Sequence, residues 1–138
     1  HDCQFGNHIV VANNSHFAGH VTVEDHVKVG GGGLFSQFVT LGEYCYIAGD
    51  TAVNKDILPY SIAYGNFATV RATNKIGLER AGFSKEEVEN IHRAIRTIIK
   101  GGDTLEQALL KVEETCEPSD HIRRLLDFVR KSERGIAR

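Results

Sequence analysis

From Phe5 onward an aliphatic or aromatic side chain returns at every sixth residue, at Phe5, Val11, Phe17, Val23, Val29, Phe35, Leu41, Ile47 and Val53, without an insertion. A period of six fits neither the 3.6-residue turn of an α-helix nor the two-residue alternation of a plain strand. It fits the hexapeptide parallel β-helix, in which three hexapeptides make one triangular coil. Residues 18 apart then lie one above the other, at the inter-strand spacing of ~4.8 Å. The residue after each apolar position is small or polar (Gly6, Ala12, Ala18, Glu24, Gly30, Ser36, Gly42, Ala48, Asn54), as a chain turning a corner there requires. The nine repeats from Cys3 to Asp56 predict three coils, which end where Ile57, Leu58 and Pro59 break the period.

Three parts follow from this pattern: β-helix coils over 1–62, a connecting loop over 63–82 and a helical domain over 83–138. The loop assignment reflects scattered Gly, Asn and Thr without a clear period. Beyond it, Ser84 with Glu87 and Thr104 with Gln107 form two capping boxes, and Ser119 after Pro118 caps a third helix. The apolar stripes are Val88, Ile91, Ile95 and Ile98; Leu105, Ala108, Leu109, Val112 and Cys116; and Ile122, Leu125, Leu126 and Val129. Three short amphipathic helices predict a small bundle.

Charge excludes one class of partner. Residues 1–62 carry a net −4 and residues 63–138 a net +2, and neither provides the strongly basic face that nucleic-acid binding requires. No apolar run reaches the ~20 residues of a membrane span. Three cysteines without a CxxC pair point to reduced thiols and a cytosolic protein, with Cys3 and Cys45 as small core residues. The chain opens at His1 in mid-repeat, which predicts a fragment of a longer protein, because solenoid ends need a cap.

Five of the seven histidines precede residue 27. Stacking arithmetic puts His1, Gly19 and Gln37 in one slot of successive coils, and Asp2, His20 and Phe38 in the next, within roughly 10 Å. A neutral imidazole in such a cluster suits general-base catalysis, with Asp2 orienting His1. Glycine at 19 exposes a backbone N–H to a developing oxyanion. His8, His16 and His26 read as solvated corner residues. The run Gly30 to Gly33 lacks the GK[ST] and helix of a phosphate loop. No convincing metal set is visible, since His16 and His20 do not converge on an extended strand and Cys3 points inward.

The segments HDC (1–3), ANN (12–14), AGHV (18–21), QF (37–38), YGN (64–66), NKIGLERAGFS (74–84) and the terminal RGIAR resemble the acyl carrier protein dependent UDP-N-acetylglucosamine O-acyltransferases of lipid A biosynthesis. The likeness spans the whole chain but only the C-terminal part of the family's sequence. It implies a left-handed β-helix, a cytoplasmic homotrimer with sites between subunits, and the first step of lipid A biosynthesis: transfer of a 3-hydroxyacyl group from acyl carrier protein to the sugar 3-hydroxyl, without a cofactor. By the same resemblance His1 is the base, Asp2 holds it, and Gly19 supplies the oxyanion amide. His20 and Gln37 contact substrate, Asn74 and Arg80 bind the nucleotide sugar, and Gly49 sets acyl length, a small residue there leaving room for a long chain. Ser36, Phe67 and Ala81 stand where the family often has His, His and Arg, which removes three polar contacts.

Two further readings stay open on sequence alone: another hexapeptide sugar acyltransferase, with an acyl-CoA donor or an amino-sugar acceptor, and a zinc hydratase of the γ-carbonic anhydrase type.

Overall fold

The computed structural model describes residues 1–138. Nine two-residue strands open the chain: β1 (Gln4–Phe5), β2 (Val10–Val11), β3 (His16–Phe17), β4 (Thr22–Val23), β5 (Lys28–Val29), β6 (Leu34–Phe35), β7 (Thr40–Leu41), β8 (Tyr46–Ile47) and β9 (Ala52–Val53). Strands β1 to β6 each pair in parallel with the strand 18 residues on, so Phe5 meets Val23, Val11 meets Val29 and Phe17 meets Phe35. Three sheets result, β1-β4-β7, β2-β5-β8 with later additions, and β3-β6-β9. These are the sides of the expected prism.

The sixth-position residues point inward. Val23, Val29, Phe35, Leu41, Ile47 and Val53 are all buried, and each such side chain contributes about 1.5–3 kcal/mol. Phe5 and Val11 in the first coil, which is covered on one side only, are 46% and 38% exposed.

The corners lie three residues past each inward position, not immediately after it as the sequence suggested. Asp2, His8, Asn14, His20, His26, Gly32, Phe38, Tyr44 and Asp50 all have φ between 55° and 76°. That left-handed conformation is tolerated best, after glycine, by Asn, Asp and His. The backbone therefore accounts for much of the histidine density: His8, His20 and His26 are corner residues. The small residues that follow the inward positions answer a different need. A Cβ on Gly30 would come within 2.7 Å of the Gly49 nitrogen, and one on Gly42 would collide with Pro59 in the coil above.

Residues 63–82 are not a plain loop. The hairpin β10 (Ser61–Gly65) and β11 (Ala68–Thr73) extends the second sheet, with Ile62 and Ala63 paired in parallel to Tyr46 and Ile47. Helix α1 (Lys75–Arg80) follows, capped by Asn74. The hairpin's alternation is buried in a tertiary context that local sequence does not carry. Ser61, Ala63, Ala68, Val70 and Thr73 are buried, and β11 backs onto helix α2 (Lys85–Ile99) through a 2.9 Å hydrogen bond between Thr73 and His92.

Helices α2 (Lys85–Ile99), α3 (Leu105–Thr115) and α4 (Asp120–Lys131) bury the stripes read from the sequence, apart from half-buried Leu105. Thr104 and Gln107 make a complete capping box, whereas at Ser84 only the serine half forms. Glu87 instead accepts from Asn90 at 3.2 Å and pairs with His121 at 3.0 Å, tying α2 to α4. The C-terminal residues return to the coils: Asp56 exchanges backbone hydrogen bonds with Gly135 and Ala137, at 2.8 and 3.0 Å. Coils and helices share one contiguous core. No helix is long and apolar enough to cross a membrane.

Candidate active site

Each edge of the prism stacks one set of corners. At the edge between β3-β6-β9 and β1-β4-β7, the His20 N–H donates to the His1 carbonyl and the Phe38 N–H to that of Gly19, both at 3.1 Å. This ladder fixes the predicted vertical registry of His1, Gly19 and Gln37. His1 Nδ1 lies 2.7 Å from Asp2 Oδ2, so the carboxylate holds the imidazole by one nitrogen and Nε2 is left for chemistry. His20 meets His1 edge to face, with ring centroids 5.4 Å apart, and places its Nε2 3.8 Å from the same carboxylate oxygen.

Gly19 is buried beneath this ring. A Cβ there would lie 2.7 Å from His1 Cε1 and 2.8 Å from Nε2, so what approaches its α-carbon is the imidazole itself. Its N–H donates to no acceptor in the chain. Elsewhere in the coils the same slot does donate to oxyanions. At the neighbouring edge the equivalent N–H groups of Asn7 and Glu43 donate to carboxylate oxygens of Asp25 and Glu24, at 2.7 and 3.0 Å. Gly19 presents the same donor, unoccupied, beside a base.

Stacking arithmetic placed Phe38 in the slot above His20 but gave it no role. It stacks on His20 at 4.7 Å with the rings 3° apart, and fixes that imidazole from above. The signal was available, since Phe38 is 18 residues past His20. Phe38 also borders a cleft of about 1230 Å³ between the β1-β4-β7 face and α4.

Asn74, Arg80 and Gly49 do not join this cluster within one chain. Asn74 caps α1 through its carboxamide oxygen, 3.3 Å from the Gly77 nitrogen, and donates to the Tyr44 carbonyl at 2.9 Å. Tyr44 belongs to a second edge, where His8, His26 and Tyr44 stack at 4.9 and 4.5 Å as corner side chains. Arg80 ends α1, exposed and without an ion pair. Gly49 lies at the third edge above Gly31, whose carbonyl oxygen would be 3.4 Å from a Cβ on it. Gln37 is exposed one coil above Gly19. The one group able to hold a metal is His1, Asp2 and His20, whose donor atoms lie within 4.8 Å of one another.

Residues 56–137 match the family model described as UDP N-acetylglucosamine O-acyltransferase, domain 2. The chain belongs to this family. Its fold is accordingly the left-handed parallel β-helix, as in a UDP-N-acetylglucosamine acyltransferase of Bacteroides fragilis that is 40% identical and superposes with a TM-score of 0.97 over 100% of this chain and 54% of that one. A Campylobacter jejuni enzyme of the same description is 40% identical, with a TM-score of 0.91 over 99% and 53% of the two chains. An acyl-[acyl-carrier-protein]–UDP-N-acetylglucosamine O-acyltransferase of Alkalilimnicola ehrlichii is 37% identical over 138 residues. That alignment takes in the whole chain, which thus spans about half the length, 54%, of this relative. The zinc hydratase reading finds no support among these members of the acyltransferase family.

Proposed function

We propose that the protein transfers a 3-hydroxyacyl group from acyl carrier protein to the 3-hydroxyl of UDP-N-acetylglucosamine, the first step of lipid A biosynthesis. The observation that carries this reading is the unpaired Gly19 N–H beside a histidine whose other nitrogen is tied to a carboxylate. His1 Nε2 takes the proton of the sugar hydroxyl as its oxygen attacks the thioester carbonyl carbon. The carbonyl oxygen gains the charge, and the Gly19 N–H donates to it. Asp2 faces the imidazolium that has formed and stabilises it. As the C–S bond breaks, the imidazolium returns its proton to the departing thiolate, and the site is restored without a cofactor.

His20, steadied by Phe38, and Gln37 line the approach to this centre and contact substrate. Arg80 is a phosphate partner, its guanidinium matching phosphate geometry, and Asn74 presents its second amide hydrogen to the nucleotide sugar. Gly49 is the acyl-length ruler and leaves space for a long chain. Because the three edges of one prism face apart, base and ruler serve one site only across a subunit boundary, which supports a homotrimer; the three free cysteines support a place in the cytoplasm.

The product decides the reading. Incubation with UDP-N-acetylglucosamine and 3-hydroxyacyl carrier protein should give a nucleotide sugar heavier by one 3-hydroxyacyl group and esterified at the 3-oxygen. Transfer only from acyl-CoA, or only to an amino sugar, would place the protein with the other hexapeptide acyltransferases.

A further inference from the structure

We propose that His1, Asp2 and His20 form a binding site for a divalent transition cation of the zinc and cobalt class, and that the cation switches the base off. Two imidazoles and a carboxylate are a ligand set suited to such cations, and hard ions such as Mg²⁺ prefer all-oxygen shells. The donor atoms already lie within 4.8 Å of one another. Tetrahedral coordination at bond lengths near 2.0–2.1 Å needs ligand atoms about 3.3 Å apart. His1 Nδ1 to Asp2 Oδ2 must open from 2.7 Å and His20 Nε2 to Asp2 Oδ2 must close from 3.8 Å, each by roughly half an ångström.

Phe38 stacks on the His20 ring and the Gly19 α-carbon seats the His1 ring, but the side chains stay largely open to solvent and free to turn. The three side chains are 73%, 64% and 44% exposed, and the main chain that carries them is held by the His20-to-His1 ladder bond. The fourth coordination position faces solvent, where water or a substrate oxygen completes the shell.

The consequence for the base follows from tautomerism. A neutral imidazole carries one N–H, so a cation on the Nδ1 lone pair confines the proton to Nε2. Nε2 then donates and can no longer accept from a hydroxyl. Binding also takes Asp2 Oδ2 away from the imidazole it orients. The binding claim stands on geometry alone; the claim of inhibition rests on the acyltransferase reading above.

The test uses protein with its α-amino group acetylated, so that only side chains chelate. Titration with Co²⁺ should produce one equivalent of visible ligand-field absorption, displaced by Zn²⁺ and unaffected by excess Mg²⁺. His20→Asn and Asp2→Asn keep residues that tolerate a left-handed corner, and each should weaken binding at least about tenfold. His8→Asn, at the second edge, should leave it unchanged. Absence of a one-to-one complex, or equal binding by His20→Asn and wild type, overturns the site. In acyl-transfer assays Zn²⁺ should inhibit with the midpoint of its binding curve and release on chelation. Full activity of the zinc-loaded protein overturns the proposed effect on the base while leaving the spectroscopic result to decide the site.

Discussion

The His1 imidazole lies against the α-carbon of Gly19, so close that a methyl group on Gly19 would sit 2.8 Å from Nε2. Glycine is thus required here by a side chain from the coil below, and not by a left-handed backbone. Gly19→Ala keeps the N–H donor and the backbone conformation but pushes the ring from its seat. Displacing a reacting group by about 1 Å costs on the order of 10² in rate. We expect that loss in kcat with an unchanged melting temperature, measured side by side; a variant with wild-type turnover would show that the ring's position is not limiting.

Gly49 has room where Gly19 does not. A Cβ at Gly49 meets only the Gly31 carbonyl, at ordinary contact distance. Gly49→Met should therefore fold normally and prefer shorter acyl donors. Competition between donors of different length, read by product mass, checks it, and an unchanged preference removes Gly49 as the ruler.

Asp56 predicts a pH effect on stability. Burial raises its carboxyl above the ordinary value, against hydrogen bonds from Ser132 and Thr40 and the charge of Arg134. The folded chain therefore holds this proton more tightly than the unfolded chain. The resulting stability is complete below the unfolded value of about 3.9 and is lost as pH rises through the raised folded value. Asp56→Asn keeps an acceptor for the Thr40 N–H, 2.7 Å away, and an amide for Ser132, 2.5 Å away, without a charge to bury. Thermal melts should show the variant gaining on wild type as pH rises from about 4 toward neutrality; a difference constant with pH would contradict this.

Asn90 clamps the α3–α4 connection. Its carboxamide donates to the Glu117 carbonyl at 2.8 Å and accepts from the Glu117 N–H at 2.9 Å. Asn90→Ala leaves both backbone groups unmatched and should cost about 1–2 kcal/mol. Urea denaturation should show a lower midpoint with an unchanged slope, and kcat should not move, because the side chain bonds only to Glu117 and Glu87 and to nothing at the His1 edge.

The hexapeptide register was readable because inward side chains such as Leu41 and Ile47 must be apolar at a fixed interval, and the helices because Ser84, Thr104 and Ser119 cap apolar stripes. The vertical stacking of His1, Gly19 and Gln37 followed from the same interval. The hairpin over 61–73 was not readable. Its strands are stable through pairing with β8 and docking on α2, which leave no local period around Gly65 and Asn66. The corner offset was hidden for a related reason: histidine at 8, 20 and 26 serves the backbone as well as any ligand. Only contacts in space, such as Asp2 with His1 and Phe38 with His20, separate a catalytic candidate from a corner residue. Asn74, read for the nucleotide, turns out to hold a helix terminus as well.

The most direct measurement compares the rate of 3-O-acyl-UDP-N-acetylglucosamine formation by wild type and His1→Ala, with identical far-ultraviolet circular dichroism as the control for folding. The account predicts a loss of about 10²- to 10⁴-fold, the usual worth of a positioned general base. A His1→Ala protein that forms product at the wild-type rate would contradict it.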